Sequence, residues 1–166
     1  MFRVYNTHTN IPFKKEKENF YRSPRYKTLA LFFIDRVESY RNENDKLGIL
    51  RTYFEKQLSI RLKEEIQVIK DKTIPNSRDT EYLDYLKTSL ENISMTNGGY
   101  FSKDNSTSDE EIKKEVDEIL RDKETLLSFK NDNGDWNIRR FIFSKWTLRE
   151  GWDNPNVFTI AKLRSS

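Results

Sequence analysis

The chain has 166 residues, of which 35% are hydrophobic and 34% charged, and its formal net charge is +3. This length and apolar content suffice for one core of ordinary domain size, so a single domain is the default expectation. The sequence contains no cysteine, which excludes disulfides and thiolate metal sites. It also contains no stretch of roughly 18 apolar residues that could cross a membrane, and we expect a cytoplasmic protein.

The N-terminal segment, residues 1–26, is polar and interrupted by Pro12 and Pro24, so we expect it to be irregular apart from a possible short helix over Lys14 to Tyr21. Seven basic residues lie in residues 1–27, against Glu16 and Glu18: Arg3, Lys14, Lys15, Lys17, Arg22, Arg25 and Lys27. Such a charge run suits contact with phosphates, although a solvated surface is its commoner meaning.

The middle of the chain predicts one strand followed by two helices. Leu29 to Ile34 is an apolar run bounded by charged residues, which suits a strand buried on both faces. Apolar residues recur every three or four positions from Leu47, which predicts a long helix ended by Pro75. They are Leu50, Phe54, Leu58, Leu62, Ile66 and Ile69. A second helix is expected to start near Ser77 or Asp79, with Leu83, Leu86 and Leu90 on one face.

After this helical region, which Gly98 and Gly99 are expected to close, Tyr100 to Ser102 suits a short strand. The capping-box spacing of Ser108 and Glu111 and the apolar stripe that follows predict a helix from about Asp109 to Phe129. Two strands, Ile138 to Ser144 and Val157 to Leu163, are expected to follow. The whole pattern predicts an α/β domain with a mainly parallel sheet flanked by helices, in which residues 47–97 form a helical insertion.

The segment between the last two strands has a fixed local shape. Gly151 allows close approach of the backbone, Asp153 and Asn154 can bond their own backbone, and Pro155 holds Asn154 extended. At the carboxyl end of a strand in an open α/β sheet, such a loop lies where nucleotides bind. The residues alone favour a plain turn between two strands, with Trp146 and Trp152 filling the core.

Leu148 to Val157 resembles motif V of superfamily 2 helicases, in the form found in the Res subunits of type III restriction enzymes. Three further segments resemble the same subunits in the same order: Phe13 to Glu18, Lys27 to Val37 and Gly99 to Asp104. The resemblance implies that residues 27–166 form an incomplete second RecA-like domain, preceded by the basic segment 1–26.

The resemblance also implies roles for particular residues. Gly151 and Asp153 correspond to the motif V positions that face the nucleotide, and Ser144, Lys145 and, less directly, Arg149 correspond to positions near the DNA backbone. We add Lys14 and Lys15 of the basic segment as candidates for contact with DNA. In a complete enzyme of this family the cofactors are ATP and magnesium, and the partners are DNA, the first RecA-like domain and the Mod methyltransferase subunit.

Other parts of such an enzyme are missing from the sequence. No glycine is followed by lysine, so there is no Walker A loop, and no proline is followed by the aspartate that the nuclease motif requires. The arginines of motif VI are also absent. The only histidine, His8, has no expected catalytic partner. Asp109 to Ile112 looks like a Walker B or DEAD-type box, but no apolar strand precedes it, so it suits a helix start better.

We therefore expect a Res fragment that contributes motif V to ATP-dependent DNA translocation and cleavage, with no ATPase, helicase or nuclease activity of its own. The alternative is a non-catalytic module that binds nucleic acid or another protein. In both cases DNA binding should be weak, independent of base sequence and steeply dependent on salt.

Overall fold

The computed structural model describes residues 11–41, 47–101, 126–145 and 157–163. Its helices are α1 (Ile11–Tyr21), α2 (Ile49–Lys70) and α3 (Ser77–Glu91), and its strands are β1 (Leu29–Ile34), β2 (Asn97–Tyr100), β3 (Phe141–Lys145) and β4 (Val157–Leu163). Among these helices, none is both long and apolar enough to cross a membrane.

The four strands form one sheet in the order β2-β3-β1-β4, and every neighbouring pair is parallel. This arrangement confirms the expected α/β fold with a parallel sheet flanked by helices. Strand β1 lies inside the sheet because its run of apolar residues can be covered on both faces. In sequence, α2 and α3 lie between β1 and β2.

Alternate residues of the strands build two separate apolar layers. Ala30 and Ile34 of β1 belong to the larger cluster, with Phe141 and Phe143 of β3 and the buried residues of the helices. Leu29, Leu31 and Ile142 belong to a smaller cluster with Leu126. Because successive side chains of a strand point to opposite faces, these are the two faces of the sheet.

The two long helices follow the predicted pattern with small differences. The expected core positions of α2 are buried except for Phe54, which is partly buried. The helix ends at Lys70, so Pro75 lies beyond its end and is not its stop. Helix α3 begins at Ser77, where Asn76 and Asp79 form a reciprocal capping box.

The prediction that Gly98 and Gly99 end the helical region is wrong, because both lie inside β2. A methyl group on Gly99 would come within 2.4 Å of Phe101 Cε2 and 3.0 Å of Tyr40 Cε1. Glycine is required there by the two rings. The expected strand Tyr100 to Ser102 overlaps β2 only at Tyr100.

The last two strand predictions and the third helix have different outcomes. Strand β3 begins at Phe141, later than Ile138, whereas β4 has the predicted bounds. The helix predicted from Asp109 to Phe129 lies mostly outside the described residues, within which Leu126 and Leu127 are helical.

Within the described part of the N-terminal segment, residues 11–26, the chain is more regular than the sequence indicates. Helix α1 starts at Ile11, before the expected Lys14, with Pro12 in the first turn, where a proline is tolerated. Phe20 is fully buried, and its ring lies 4.8 Å from those of both Tyr82 and Phe129. Helix α1 is therefore part of the core rather than an irregular extension.

A buried ion pair connects α1 to the start of β3. Arg140 Nε lies 2.8 Å from Glu16 Oε2, and both side chains are only 2% exposed. The Tyr85 hydroxyl lies 3.4 Å from the same carboxylate oxygen, to which it donates. Arg140 Nη1 also donates to Ser89 Oγ at 3.1 Å. The network thus joins α1, α3 and the residue that precedes β3.

Lys27 places a second cation near this ion pair. Its fully buried ammonium group donates to the carbonyl oxygens of Asn137 and Arg139, each at 2.8 Å. Burial lowers the pKa of Lys27, and the nearby Arg140 lowers it further. Burial raises the pKa of Glu16, although Arg140 and Lys27 oppose that effect. The buried carboxylate of Glu16 therefore stabilises the fold only in the presence of the neighbouring cations Arg140 and Lys27.

We expect the loss of either partner to destabilise the chain strongly. Glu16→Leu or Arg140→Leu should each lower the free energy of unfolding by about 3–5 kcal/mol, because one buried charge loses its partner. The double variant should recover a large part of that loss. Urea unfolding of the 166-residue chain measures all three. The control is Arg61→Leu, which breaks an exposed ion pair with Glu64 and should cost at most about 1 kcal/mol. Single variants no less stable than this control would contradict the prediction.

A second charged contact fastens the end of α1 to the start of α3. Asp79 Oδ1 accepts hydrogen bonds from Lys72 Nζ at 2.5 Å and from the Tyr21 hydroxyl. The Arg78 side chain donates to the carbonyl oxygen of Tyr21. The hydrogen bond from Lys72, followed by those from Tyr21 and the Asn76 backbone, lowers the pKa of Asp79 from 3.8 to about 2.

This lowered pKa predicts an acid-dependent loss of stability. A carboxyl group whose folded-state pKa is depressed stabilises the fold above its unfolded pKa, and this contribution is lost as the pH falls through the folded value. Between pH 4 and pH 2, the free energy of unfolding of the unmodified chain should fall by about 1 kcal/mol more than that of the Asp79→Asn variant. The full difference in pKa would correspond to about 2 kcal/mol, but solvent screens the exposed Lys72 and reduces the effect. Urea unfolding across this range tests it, and parallel curves for both proteins would refute it.

Candidate nucleic-acid interface

The sequence-predicted residues Ser144 and Lys145 lie at the carboxyl end of β3. In the parallel register, Ser144 is level with Phe33 of β1 and Tyr100 of β2, and Lys145 is level with Ile34. Strand β3 is therefore held between two neighbours up to its last residues. The segment that resembles motif V follows directly in sequence.

These two residues differ in accessibility. Ser144 is fully buried, and its hydroxyl donates to the Lys145 carbonyl oxygen at 3.3 Å. Lys145 is half-buried. Lys145 is therefore more accessible to a phosphate group than Ser144, whose hydroxyl is bonded to the backbone at the end of the strand. Arg149, Gly151 and Asp153 lie outside the described residues.

The parallel register brings two further basic residues to the same edge of the sheet. Arg36 follows the end of β1 by two positions and is exposed. Lys162, also exposed, is level with Phe33 near the end of β4. Three adjacent strands thus present Lys145, Arg36 and Lys162 at their carboxyl ends, together with the acidic residue Asp35. Arg36, two positions after β1, and Lys162, near the end of β4, were not among the residues expected from the sequence, although both strands were predicted correctly.

The basic residues of the N-terminal segment are largely engaged within the fold. Three ion pairs join them to acidic residues: Lys15 to Glu18 at 3.4 Å, Lys17 to Glu65 at 3.6 Å and Arg25 to Glu81 at 2.7 Å. Lys27 is buried, as described above. Of the predicted DNA contacts in this segment, Lys14 is exposed and Lys15 contacts Glu18. The excess charge counted from the sequence is thus only partly available to a ligand.

The described residues contain no group of three histidine, aspartate or glutamate side chains arranged to hold a metal ion. Phenylalanine rings of β1, β3 and α2 pack against one another. The ring of Phe32 lies 5.1 Å from that of Phe143 and 5.8 Å from that of Phe54. These rings belong to the core on the helical face of the sheet.

A parallel sheet flanked by helices, with a motif V-like segment after β3, is consistent with part of a RecA-like domain. Comparison with known proteins gives the family. The chain is 50% identical over 165 residues to the StyLTI Res subunit of Salmonella typhimurium strain LT2. It is 53% identical over 154 residues to the EcoP15I Res subunit of Escherichia coli and 51% identical over 154 residues to the EcoPI Res subunit of Escherichia phage P1. All three are described as type III restriction-modification enzyme subunits.

The chain is therefore similar to one segment of type III restriction-modification Res subunits. Each match covers 93% of this chain but only 14–16% of the relative, so the chain corresponds to a small part of these subunits. No protein-family model and no solved structure matches it.

Proposed function

We propose that this chain acts as the DNA-contacting part of a Res subunit, and that the carboxyl edge of its sheet binds the phosphate backbone. The observation that carries this proposal is the set of three basic residues, Lys145, Arg36 and Lys162, at the ends of adjacent parallel strands. Open α/β sheets bind their ligands at this edge. Cations on neighbouring strand ends can neutralise phosphates without reading bases.

The nucleotide role proposed for Gly151 and Asp153 rests on the sequence resemblance. A glycine lets the backbone approach a phosphate, and a carboxylate can accept hydrogen bonds from ribose hydroxyls. Within a complete Res subunit, ATP with magnesium would supply the energy for movement along DNA, and this segment would hold the DNA backbone next to the nucleotide. A Mod subunit would read the target sequence.

The N-terminal segment contributes less to this proposed interface than its charge indicates. Lys14 can reach a phosphate, but Lys15 must first leave Glu18. Helix α1 also carries Glu16 and Phe20 into the core, so deletion of residues 1–25 would unfold the chain rather than test its DNA contacts. Single charge changes are therefore the appropriate probes.

Charge-neutralising substitutions at the sheet edge should weaken DNA binding and its salt dependence together. For Arg36→Gln, Lys145→Gln and Lys162→Gln, the slope of log affinity against log salt should fall by about 0.9 for each phosphate that the variant no longer neutralises. Fluorescence anisotropy with a labelled duplex of arbitrary sequence measures this slope. The double variant Lys14→Gln/Lys15→Gln should have a smaller effect per residue.

The matched control for these variants is Lys87→Gln, which removes an exposed lysine from α3. Its slope should equal that of the unmodified chain. Equal slopes for the control and the three edge variants would overturn the proposed interface. If the Lys14→Gln/Lys15→Gln variant alone reduced the slope, the DNA would be bound by α1 instead.

A further inference from the structure

Helix α2 exposes apolar side chains on the side that faces away from the core. Four exposed positions of α2 are apolar: Ile49 at 75%, Tyr53 at 42%, Ile60 at 44% and Val68 at 54% exposure. By contrast, the exposed positions of the neighbouring helix α3 are all polar: Ser77, Thr80, Asp84, Lys87 and Glu91. The exposed positions of α3 are thus entirely polar, whereas those of α2 include four apolar residues among polar ones.

Three of these residues share one side of the helix, and we call this set the outer stripe: Ile49, Tyr53 and Ile60. With 100° between successive residues, they fall within about 40° of one another around the helix axis. They lie roughly opposite Leu58, which is buried against the core. At 1.5 Å per residue the outer stripe is about 16 Å long.

Exposed apolar residues that occur singly are normal, but a line of them along one helix face is typical of a contact surface. Two lysines, Lys56 and Lys63, are exposed along one flank of the outer stripe. By helical spacing, they lie within about 60° of its centre line. Glu64 lies about 40° from the centre line on the other flank, but its carboxylate is paired with Arg61 at 2.8 Å. A partner that combines apolar side chains with carboxylates would match the stripe and the two lysines.

The relatives indicate where such a partner would come from. This chain corresponds to 14–16% of the length of each Res subunit that it matches, so most of a Res polypeptide lies outside the matched part. We propose that the outer stripe of α2 is the docking surface for another part of the same Res polypeptide, one that presents apolar and acidic side chains. The inference does not depend on the DNA interface proposed at the sheet edge.

Because the chain contains no cysteine, a single introduced thiol can report the accessibility of the outer stripe. Ile60→Cys places the thiol within the stripe, and Lys87→Cys places it on the exposed face of α3 as a matched control. Both variants are made in the 166-residue chain and in the EcoP15I Res subunit carrying this segment in place of its own. Maleimide labelling is followed by mass spectrometry of the peptide that contains each thiol, so other cysteines of the Res subunit do not interfere.

In the isolated chain, both thiols should react at similar rates. In the Res subunit, the Ile60→Cys thiol should react at least about ten-fold more slowly than the Lys87→Cys thiol, because labelling then requires the docked part to open. Equal rates in the Res subunit, or equal protection of both positions, would overturn the proposal. Protection of Ile60→Cys that already arises in the isolated chain at higher concentration would also overturn it, because the occupant would be a second copy of the chain.

Discussion

The fold depends on one charged contact at its centre, where the carboxylate of Glu16 lies against the guanidinium group of Arg140. These residues come from α1 and from the position immediately before β3, so the contact fixes the N-terminal helix against the sheet. The backbone of Arg140 contributes as well, because its N–H donates to the Thr96 carbonyl and its carbonyl accepts from the Ala30 N–H, each at 2.9 Å. The residue before β3 is thus bonded to β1, to the residue before β2 and to side chains of α1 and α3. Removing one charge from such a site costs far more than an exposed ion pair contributes.

This constraint changes the interpretation of the basic N-terminal segment. A count of lysines and arginines treats each as available to a phosphate, but a side chain held by an internal acidic partner must first lose that partner. Lys27 is enclosed in the core, and Lys17 and Arg25 contact acidic residues of α2 and α3. The segment therefore uses much of its charge to hold α1 in place. We therefore place the proposed contacts with nucleic acid at the carboxyl edge of the sheet, where basic residues of three adjacent strands lie together.

Features with a local cause could be predicted from the sequence. Helix α2 follows from apolar residues on one face, and the start of α3 follows from residues able to cap it. Features that depend on distant partners could not. From the sequence, Gly99 suggests the end of a helical region, and only the structure shows that the rings of Tyr40 and Phe101 leave no room for a larger residue. Likewise, Glu16 suggests a surface charge, and only the structure shows its buried contact with Arg140. At the candidate site, Lys145 was expected from the family resemblance. Arg36 could be assigned to the same edge only once the parallel register of β1 and β3 was known.

The proposed interface places DNA at the strand ends of the sheet and not on α1. Lysine footprinting with an acetylating reagent distinguishes the two locations, because the reactivity of each side chain is measured with and without a duplex at low salt. We expect DNA to slow the modification of Lys145 and Lys162, while Lys87 on α3 reacts at an unchanged rate. Protection of Lys14, with Lys145 and Lys162 as reactive as in the DNA-free chain, would contradict it.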